Sequence, residues 1–186
     1  MAVAQRMNVE DYEQFVRSGV EGAWELHDGV LVEKIRMGLE HGVIPALLGH
    51  LLLLQIDRAA YHVVTELRVR RPAATVFLPD LMVIPKGLGD AFRDRPGTLA
   101  IFADPLPLVV EVWSRSTGDY DVETKIPMYM QRGDLEIWRI HPYERTVTSW
   151  VRQPDGTYQE TVYRSGTIRL AALAAVEIAV DDIFDF

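Results

Sequence analysis

The sequence contains no cysteine among its 186 residues. This absence excludes a disulfide scaffold, a zinc-thiolate site and a thiol nucleophile, and it agrees with a reducing compartment, so we expect a cytoplasmic protein. A chain of this length can bury a substantial core without covalent cross-links. We therefore expect one domain over residues 1–186.

Long apolar runs are absent as well. The most apolar stretch, VIPALLGHLLLLQI beginning at Val43, is too short to span a bilayer comfortably and runs into Asp57 and Arg58. We interpret it as a buried helix and expect no membrane partner.

Positive charge is scarce. The chain has 19 Lys and Arg residues against 27 Asp and Glu residues, for a formal net charge of -8. This balance argues against holding nucleic acid by bulk electrostatics, because proteins that do so display basic patches that neutralise phosphates. The composition still allows a nucleic-acid enzyme with a local basic cleft, or one whose metal ions offset its own acids.

The pattern of apolar residues and turns predicts an α/β chain with a mixed sheet. The first half is expected to begin with a short helix, NVEDYEQFVRSG, and a hairpin around Asp28-Gly29, WELHDGVLVEKI. A helix from about Leu39 or His41 to about Ala60 should carry the leucine-rich stretch. Two strands, YHVVTELRVR and TVFLPDLMVI, and a surface loop, KGLGDAFRDRPG, should follow it.

The second half begins with LPLVVEVWS, a strand so uniformly apolar that it should be central and covered on both faces. A helix from about Asp121 to Gln131, closed by Gly133, should follow it. The strand LEIWRIHP and a second hairpin around Asp155-Gly156 complete the prediction.

Two of the predicted strands each carry one acid, Asp80 in FLPDLMVI and Glu111 in LVVEVW. An ionised carboxylate in a low-dielectric interior is costly, so each acid must be paired, protonated, placed at a strand end facing water, or bound to a metal. Neighbouring strands lie under about 5 Å apart. At matched register the two acids could therefore share one Mg²⁺ or Mn²⁺ ion through oxygen coordination.

Lys125 would supply what a pair of acids lacks. A phosphodiester attacked by water develops negative charge, and a nearby ammonium can stabilise it or help to orient and deprotonate the water. The residues alone also allow a plainer interpretation, in which Asp80 is a turn residue after Pro79, Glu111 pairs with Arg115, and Lys125 is solvated.

Three segments occur in a characteristic order: Pro79-Asp80, VVEVWSRST from Val109, and YDVETKIPMYMQRGDLEIW from Tyr120. With the early hairpin and the histidine-bearing helix, they make nearly the whole chain similar to the large bacterial family of restriction-endonuclease-like proteins within the PD-(D/E)xK nuclease superfamily. The resemblance implies a restriction-endonuclease-like core, with a mixed central β-sheet flanked by helices and additional N-terminal and C-terminal β-hairpins.

The resemblance also implies a function and a site. Asp80 and Glu111 match the metal-binding acids of an endonuclease that uses Mg²⁺, or Mn²⁺, to hydrolyse DNA. The lysine of the superfamily pattern would fall at Trp113, but in the resembled family it is displaced to the next helix, where Lys125 stands. Asp121, four residues earlier, also matches.

Several alternatives accompany this assignment. If Pro127 must lie in the first turn of its helix, the helix begins near Glu123 or Thr124 and Asp121 lies in the preceding loop. Glu40 is a weaker candidate metal ligand and His41 a supporting residue; otherwise Glu40 interacts only with the helix dipole.

A symmetric homodimer is attractive because duplex cleavage requires two cuts. A non-catalytic relative that binds nucleic acid or protein, and a hydrolase of another phosphate ester, are the alternative functions.

Overall fold

The computed structural model describes residues 6–34, 38–71, 74–115 and 118–186. Ser116 and Thr117, which end the second of the segments quoted above, lie outside the described residues. The helices are α1 (Val9–Arg17), α2 (Glu40–Leu53), α3 (Lys86–Asp90), α4 (Gly118–Tyr120), a π-helical turn (Asp121–Lys125), α5 (Ile126–Arg132) and α6 (Val180–Ile183).

Across the described ranges, the strands form three sheets. In chain order they are β1 (Trp24–His27), β2 (Val30–Glu33), β3 (Tyr61–Val64), β4 (Arg68–Arg71), β5 (Thr75–Phe77), β6 (Leu81–Pro85), β7 (Ile101–Phe102), β8 (Leu108–Val112), β9 (Glu136–His141), β10 (Thr146–Arg152), β11 (Tyr158–Tyr163), β12 (Thr167–Arg169) and β13 (Glu177–Ala179). A five-stranded sheet has the order β2-β1-β5-β4-β7, and a six-stranded sheet has the order β11-β10-β9-β8-β6-β3. Strands β12 and β13 form a separate two-stranded sheet.

Local signals explain the N-terminal elements. Asn8 caps α1 by accepting the N–H of Asp11, and the Asp11 carboxylate accepts the N–H of Asn8 in return. Asp28 and Gly29 both have positive φ, 47° and 82°, which the tight turn between β1 and β2 requires. The predicted first helix and first hairpin are confirmed.

The two long strands predicted next are wrong in extent, because each divides between the two large sheets. Glu66 adopts a left-handed conformation, with φ 60°, between β3 and β4, and it thus interrupts the first of the two predicted strands. Leu78 to Asp80 interrupt the second, so β5 joins the five-stranded sheet and β6 the six-stranded sheet. Asp80 therefore lies at the crossing between sheets rather than within a strand. The predicted surface loop also begins with a short helix, α3.

The expected central strand is confirmed as β8. It is buried along its length and pairs antiparallel with β6 and parallel with β9. A parallel pair requires a crossover connection, and α4, the π-helical turn and α5 provide it. The helical path starts at Gly118, earlier than predicted, and ends at Gly133 with φ 85°.

A wide helical turn accommodates Pro127. The N–H of Ile126 bonds to the carbonyl of Asp121, five residues earlier, and the following proline has no N–H to place. The alternative in which Asp121 lies in a loop before the helix is wrong.

Helix α2 covers the six-stranded sheet with Ile44, Leu48 and Leu52, which are fully buried and four residues apart. It ends before the predicted Ala60 because the Asp57 side chain accepts the N–H of Ala59 and turns the chain towards β3. The β12-β13 pair and α6 contribute further residues to the same core. Within the described ranges, no helix is long and apolar enough to cross a membrane.

Candidate active site

Asp80 and Glu111 face one another at the end of the β6–β8 ladder. Leu81 pairs with Val110, and the N–H of Asp80 donates to the Val110 carbonyl at 3.0 Å. Asp80 directly precedes Leu81 and Glu111 directly follows Val110, so the two side chains lie side by side. Both are nearly inaccessible to solvent, with exposures of 4% and 1%.

Lys34, directly after β2, reaches both acids. Its Nζ lies 2.7 Å from Asp80 Oδ1 and 3.4 Å from Glu111 Oε2, and it also donates to the Leu78 carbonyl. Lys34 is itself buried, so a cation that directly follows a strand of the five-stranded sheet stands between two carboxylates at the ends of two interior strands of the six-stranded sheet.

Lys125 contacts the same cluster from the crossover helix. Its Nζ lies 2.8 Å from Glu25 Oε1, 3.2 Å from Glu111 Oε1 and 3.6 Å from Asp121 Oδ1. Because Asp121 and Lys125 begin and end the π-helical turn, both side chains face the sheet. One turn later, the Tyr129 hydroxyl group donates a hydrogen bond to Glu111 Oε1 at 2.5 Å.

The other oxygen of Asp80 is fixed from a third direction. Asp80 Oδ2 accepts the N–H of Val112 at 2.7 Å and lies 3.6 Å from His41 Nε2 on helix α2. A cavity of about 320 Å³ opens beside it and is lined by Asp80, His41 and Glu66, among others. The cavity thus places open space next to the buried Asp80 on the α2 side.

The structure brings together five of the residues singled out from the sequence, namely Asp80, Glu111, Lys125, His41 and Asp121. Glu40 does not join them. Its Oε2 instead accepts a hydrogen bond from the hydroxyl group of the exposed Tyr143 at 3.4 Å. The alternative pairing of Glu111 with Arg115 is wrong: Glu111 pairs with Lys34 and Lys125, and Arg115 is exposed.

Sequence reasoning missed three members of the cluster, Glu25, Lys34 and Tyr129. One compositional signal could have found Lys34. Only three of the basic residues are lysines, at positions 34, 86 and 125, and two of these three are buried here. In a chain that otherwise uses arginine, buried lysines mark a place where a compact ammonium is required.

The charges of the cluster set its protonation. Four carboxylates, from Glu25, Asp80, Glu111 and Asp121, meet two ammonium groups. Burial raises the pKa of Glu111 to about 8 although both lysines oppose the shift. Burial would also raise the pKa of Asp80, but Lys34 and His41 outweigh it and the pKa falls below its usual value. Of the two acids that contact Lys34, Glu111 thus takes a proton more readily than Asp80.

The two lysines remain charged. Burial would lower the pKa of Lys34, but Glu111 and Asp80 outweigh burial and raise it. For Lys125 the same competition, dominated by Glu111 and Glu25, leaves the pKa well above the usual value. Burial beside Glu111 raises the pKa of Tyr129 too, so this phenol stays a hydrogen-bond donor.

The donor atoms suit a hard divalent cation. Among the described residues, no group of three or more His, Cys, Asp or Glu side chains is arranged to hold a metal. Asp80 Oδ1, Glu111 Oε2 and the Leu78 carbonyl nevertheless converge on one point, which the Lys34 ammonium marks. Mg²⁺ needs only one or two protein carboxylates beside its waters, so the oxygen set fits it once the ammonium has moved away.

Comparison with known families agrees with this architecture. Residues 9–181 match the model of the Uma2 family, which is described as "Putative restriction endonuclease". The chain belongs to the Uma2 family. No match was found among curated proteins.

A solved structure shares the Uma2 fold seen here. It is a crystal structure titled as a "putative nuclease belonging to DUF820" from Anabaena variabilis, with a TM-score of 0.75 and 17% sequence identity. The alignment covers 96% of this chain and 97% of that chain. The likeness thus spans nearly the whole of both chains, and the expected mixed α/β, restriction-endonuclease-like fold is confirmed.

Proposed function

We propose that this Uma2 protein is a Mg²⁺- or Mn²⁺-dependent endonuclease that hydrolyses DNA phosphodiester bonds. One observation supports the proposal above the others: Asp80 Oδ1 and Glu111 Oε2 converge on a single cation position at the junction of the two sheets. The family to which the chain belongs supports the choice of nucleic acid over another phosphate ester.

Each residue of the cluster has a distinct part in the proposal. Asp80 and Glu111 would hold the metal, which when bound lowers the pKa of its water and neutralises phosphate charge. Lys125 and Tyr129 fix Glu111 Oε1 and leave Oε2 directed at the cation position. The Lys125 charge also stabilises the negative charge that develops on the attacked phosphate.

The surroundings of Asp80 complete the proposed site. His41 contacts Asp80 Oδ2 and lines the cavity through which a phosphate could approach. Asp121 stabilises the Lys125 ammonium. A cytoplasmic homodimer would place two such sites against the two strands of a duplex, whereas Glu40 has no part in the proposal.

The test compares plasmid cleavage by the wild type and by the variants Asp80→Asn and Glu111→Gln in Mg²⁺ and in Mn²⁺. Loss of either carboxylate should reduce the cleavage rate by at least about 100-fold, the scale of losing one electrostatic contact to the reacting group. Glu40→Gln is the matched control, because it removes a nearby acid outside the cluster and should leave cleavage unchanged. Circular dichroism checks that each variant is folded. Undiminished cleavage by both site variants would sink the assignment.

A specific observation favours a second candidate, a non-catalytic relative that binds nucleic acid or a protein. The Lys34 ammonium already satisfies both acids, so the cluster is internally paired without a metal. Calorimetric titration with Mn²⁺ separates the two functions. Saturable binding that Asp80→Asn abolishes supports the enzyme, and the lack of any binding supports the non-catalytic relative.

A further inference from the structure

Each acid of the site is anchored through one oxygen and presents the other to Lys34. Asp80 Oδ2 is held by the Val112 N–H, and Glu111 Oε1 is held by Lys125 and Tyr129. The remaining oxygens, Asp80 Oδ1 and Glu111 Oε2, both contact the Lys34 ammonium. The anchors come from elements other than β2, so both carboxylates would keep their orientation if Lys34 left.

Lys34 fills the place between those oxygens completely. An ammonium has three N–H donors, and Lys34 has three acceptors within 3.4 Å: Asp80 Oδ1, Glu111 Oε2 and the Leu78 carbonyl. A divalent cation bound to the same oxygens would stand where Nζ stands and would repel it. The two cations are therefore mutually exclusive at this position.

The side chain has a place to go. Lys34 and Leu78 line a cavity of about 490 Å³ whose other walls include Glu66 and Arg68. The cavity is large enough for the end of the lysine side chain, and Glu66 places a carboxylate on its wall. A rotation of Lys34 into this space would expose the two acid oxygens and the carbonyl.

We propose that Lys34 is a resident cation of this site, which must leave the position between Asp80 and Glu111 before a divalent metal can bind there. The proposal rests on the proposed function for the presence of a metal. It adds that metal affinity is limited by a competing charge of the protein itself. The apparent affinity is then the intrinsic affinity multiplied by the fraction of molecules in which Lys34 has moved away.

The first test is calorimetric titration of wild type and Lys34→Met with Mn²⁺ and with Mg²⁺. Minor conformers typically make up about 0.1–10% of a population, so removal of the competing ammonium should tighten metal binding at least about tenfold. Lys34→Arg keeps a cation and should bind metal no more tightly than wild type. Lys86→Met is the matched control, because this half-buried lysine follows the opposite end of β6 from Asp80.

The second test uses the wild type alone, in case Lys34→Met does not fold. The protein has three lysines, so three side-chain ammonium signals are expected in NMR spectra of lysine labelled with ¹⁵N. Saturation with Mg²⁺ should shift or broaden the Lys34 signal by exposing it to solvent and should leave the Lys86 signal unchanged. An unaltered Lys34 signal at saturating Mg²⁺ overturns the proposal.

The outcomes also separate this proposal from the proposed function. If wild type binds metal and Lys34→Met binds it equally or more weakly, the resident-cation proposal fails and the metal-dependent function stands. If neither protein binds Mn²⁺ or Mg²⁺, both fail. Tighter binding by Lys34→Met that Asp80→Asn removes in the same background supports both.

Discussion

At the scale of single residues, the site depends on side chains that hold other side chains. Tyr129 is the clearest example. It packs edge-on against Phe77, with ring centroids 6.1 Å apart, and its hydroxyl group donates a hydrogen bond to Glu111. The ring and the hydroxyl thus have separable effects, one on packing and one on the orientation of a buried acid.

Tyr129→Phe should lower the free energy of unfolding by about 1–3 kcal/mol, the range for a buried hydrogen bond to an ionisable group. The phenyl ring keeps the contact with Phe77, so the loss belongs to the hydroxyl. Urea denaturation at neutral pH measures it. Tyr143→Phe is the control, because that hydroxyl contacts Glu40 at 3.4 Å from an exposed side chain and should change stability by less than about 0.5 kcal/mol. Equal effects of the two substitutions would contradict the role given to Tyr129.

At the scale of elements, Trp113, which stands where the lysine of the superfamily pattern would fall, is a packing residue. Trp113, directly after β8, stacks on His141 with ring centroids 4.3 Å apart, and its indole nitrogen lies directly against Gly118 at the start of α4. Gly118 has no need for unusual backbone angles, so the close approach is its only constraint. This contact fixes where the crossover helix begins.

Gly118→Ala should therefore destabilise the protein by about 1–3 kcal/mol, because the new Cβ would overlap the Trp113 indole and one of them must shift. Gly87→Ala in α3 is the matched control, since a Cβ there meets no atom within 4 Å and should be neutral or slightly stabilising. Thermal unfolding of both variants decides the matter. If Gly118→Ala is as stable as the control, the Trp113 contact does not position the helix.

The longer helices and strands were predictable from the sequence, whereas the points at which the predicted strands divide were not. Asn8, Asp28-Gly29 and Asp155-Gly156 mark a cap and two turns through local chemistry, and all three lie where they were expected. The divisions of two predicted strands depend on which sheet each half joins, and no local pattern carries that information. The π-helical turn before Pro127 was not predictable either, because a helix that began just before Pro127 would have accommodated the proline equally well.

At the scale of the whole molecule, the site is assembled from both large sheets and two helices. The acids on and beside β6 and β8 were predictable because a charge in an apolar run demands an explanation. Glu25 and Lys34 lie in a hairpin with ordinary alternation, so only the meeting of the sheets shows that they are buried beside Glu111. Which distant strands meet cannot be recognised from the local patterns of a single sequence.

Glu136, a buried acid outside the site, joins distant parts of the molecule. Glu136 on β9 accepts bonds from the Trp138 indole, the Ser149 hydroxyl and the N–H of Ala171, which lies between β12 and β13. Glu136 thus connects the C-terminal segment to the central sheet. Burial raises its pKa above 4.5, although these donors oppose the shift.

The sign of this shift predicts how stability varies with pH. A carboxyl group whose pKa is higher in the folded state binds a proton more tightly there, so its contribution to stability is largest below pH 4.5 and declines as pH rises through the folded pKa. Glu136→Gln does not titrate, and it loses one acceptor, because its amide nitrogen cannot accept the Ala171 N–H. The wild type should therefore exceed the variant most at acid pH, and the difference should shrink towards neutral pH. Urea unfolding of both proteins between about pH 4 and pH 8 measures this difference, and a gap that widens with rising pH would show that Glu136 is stabilised as the carboxylate.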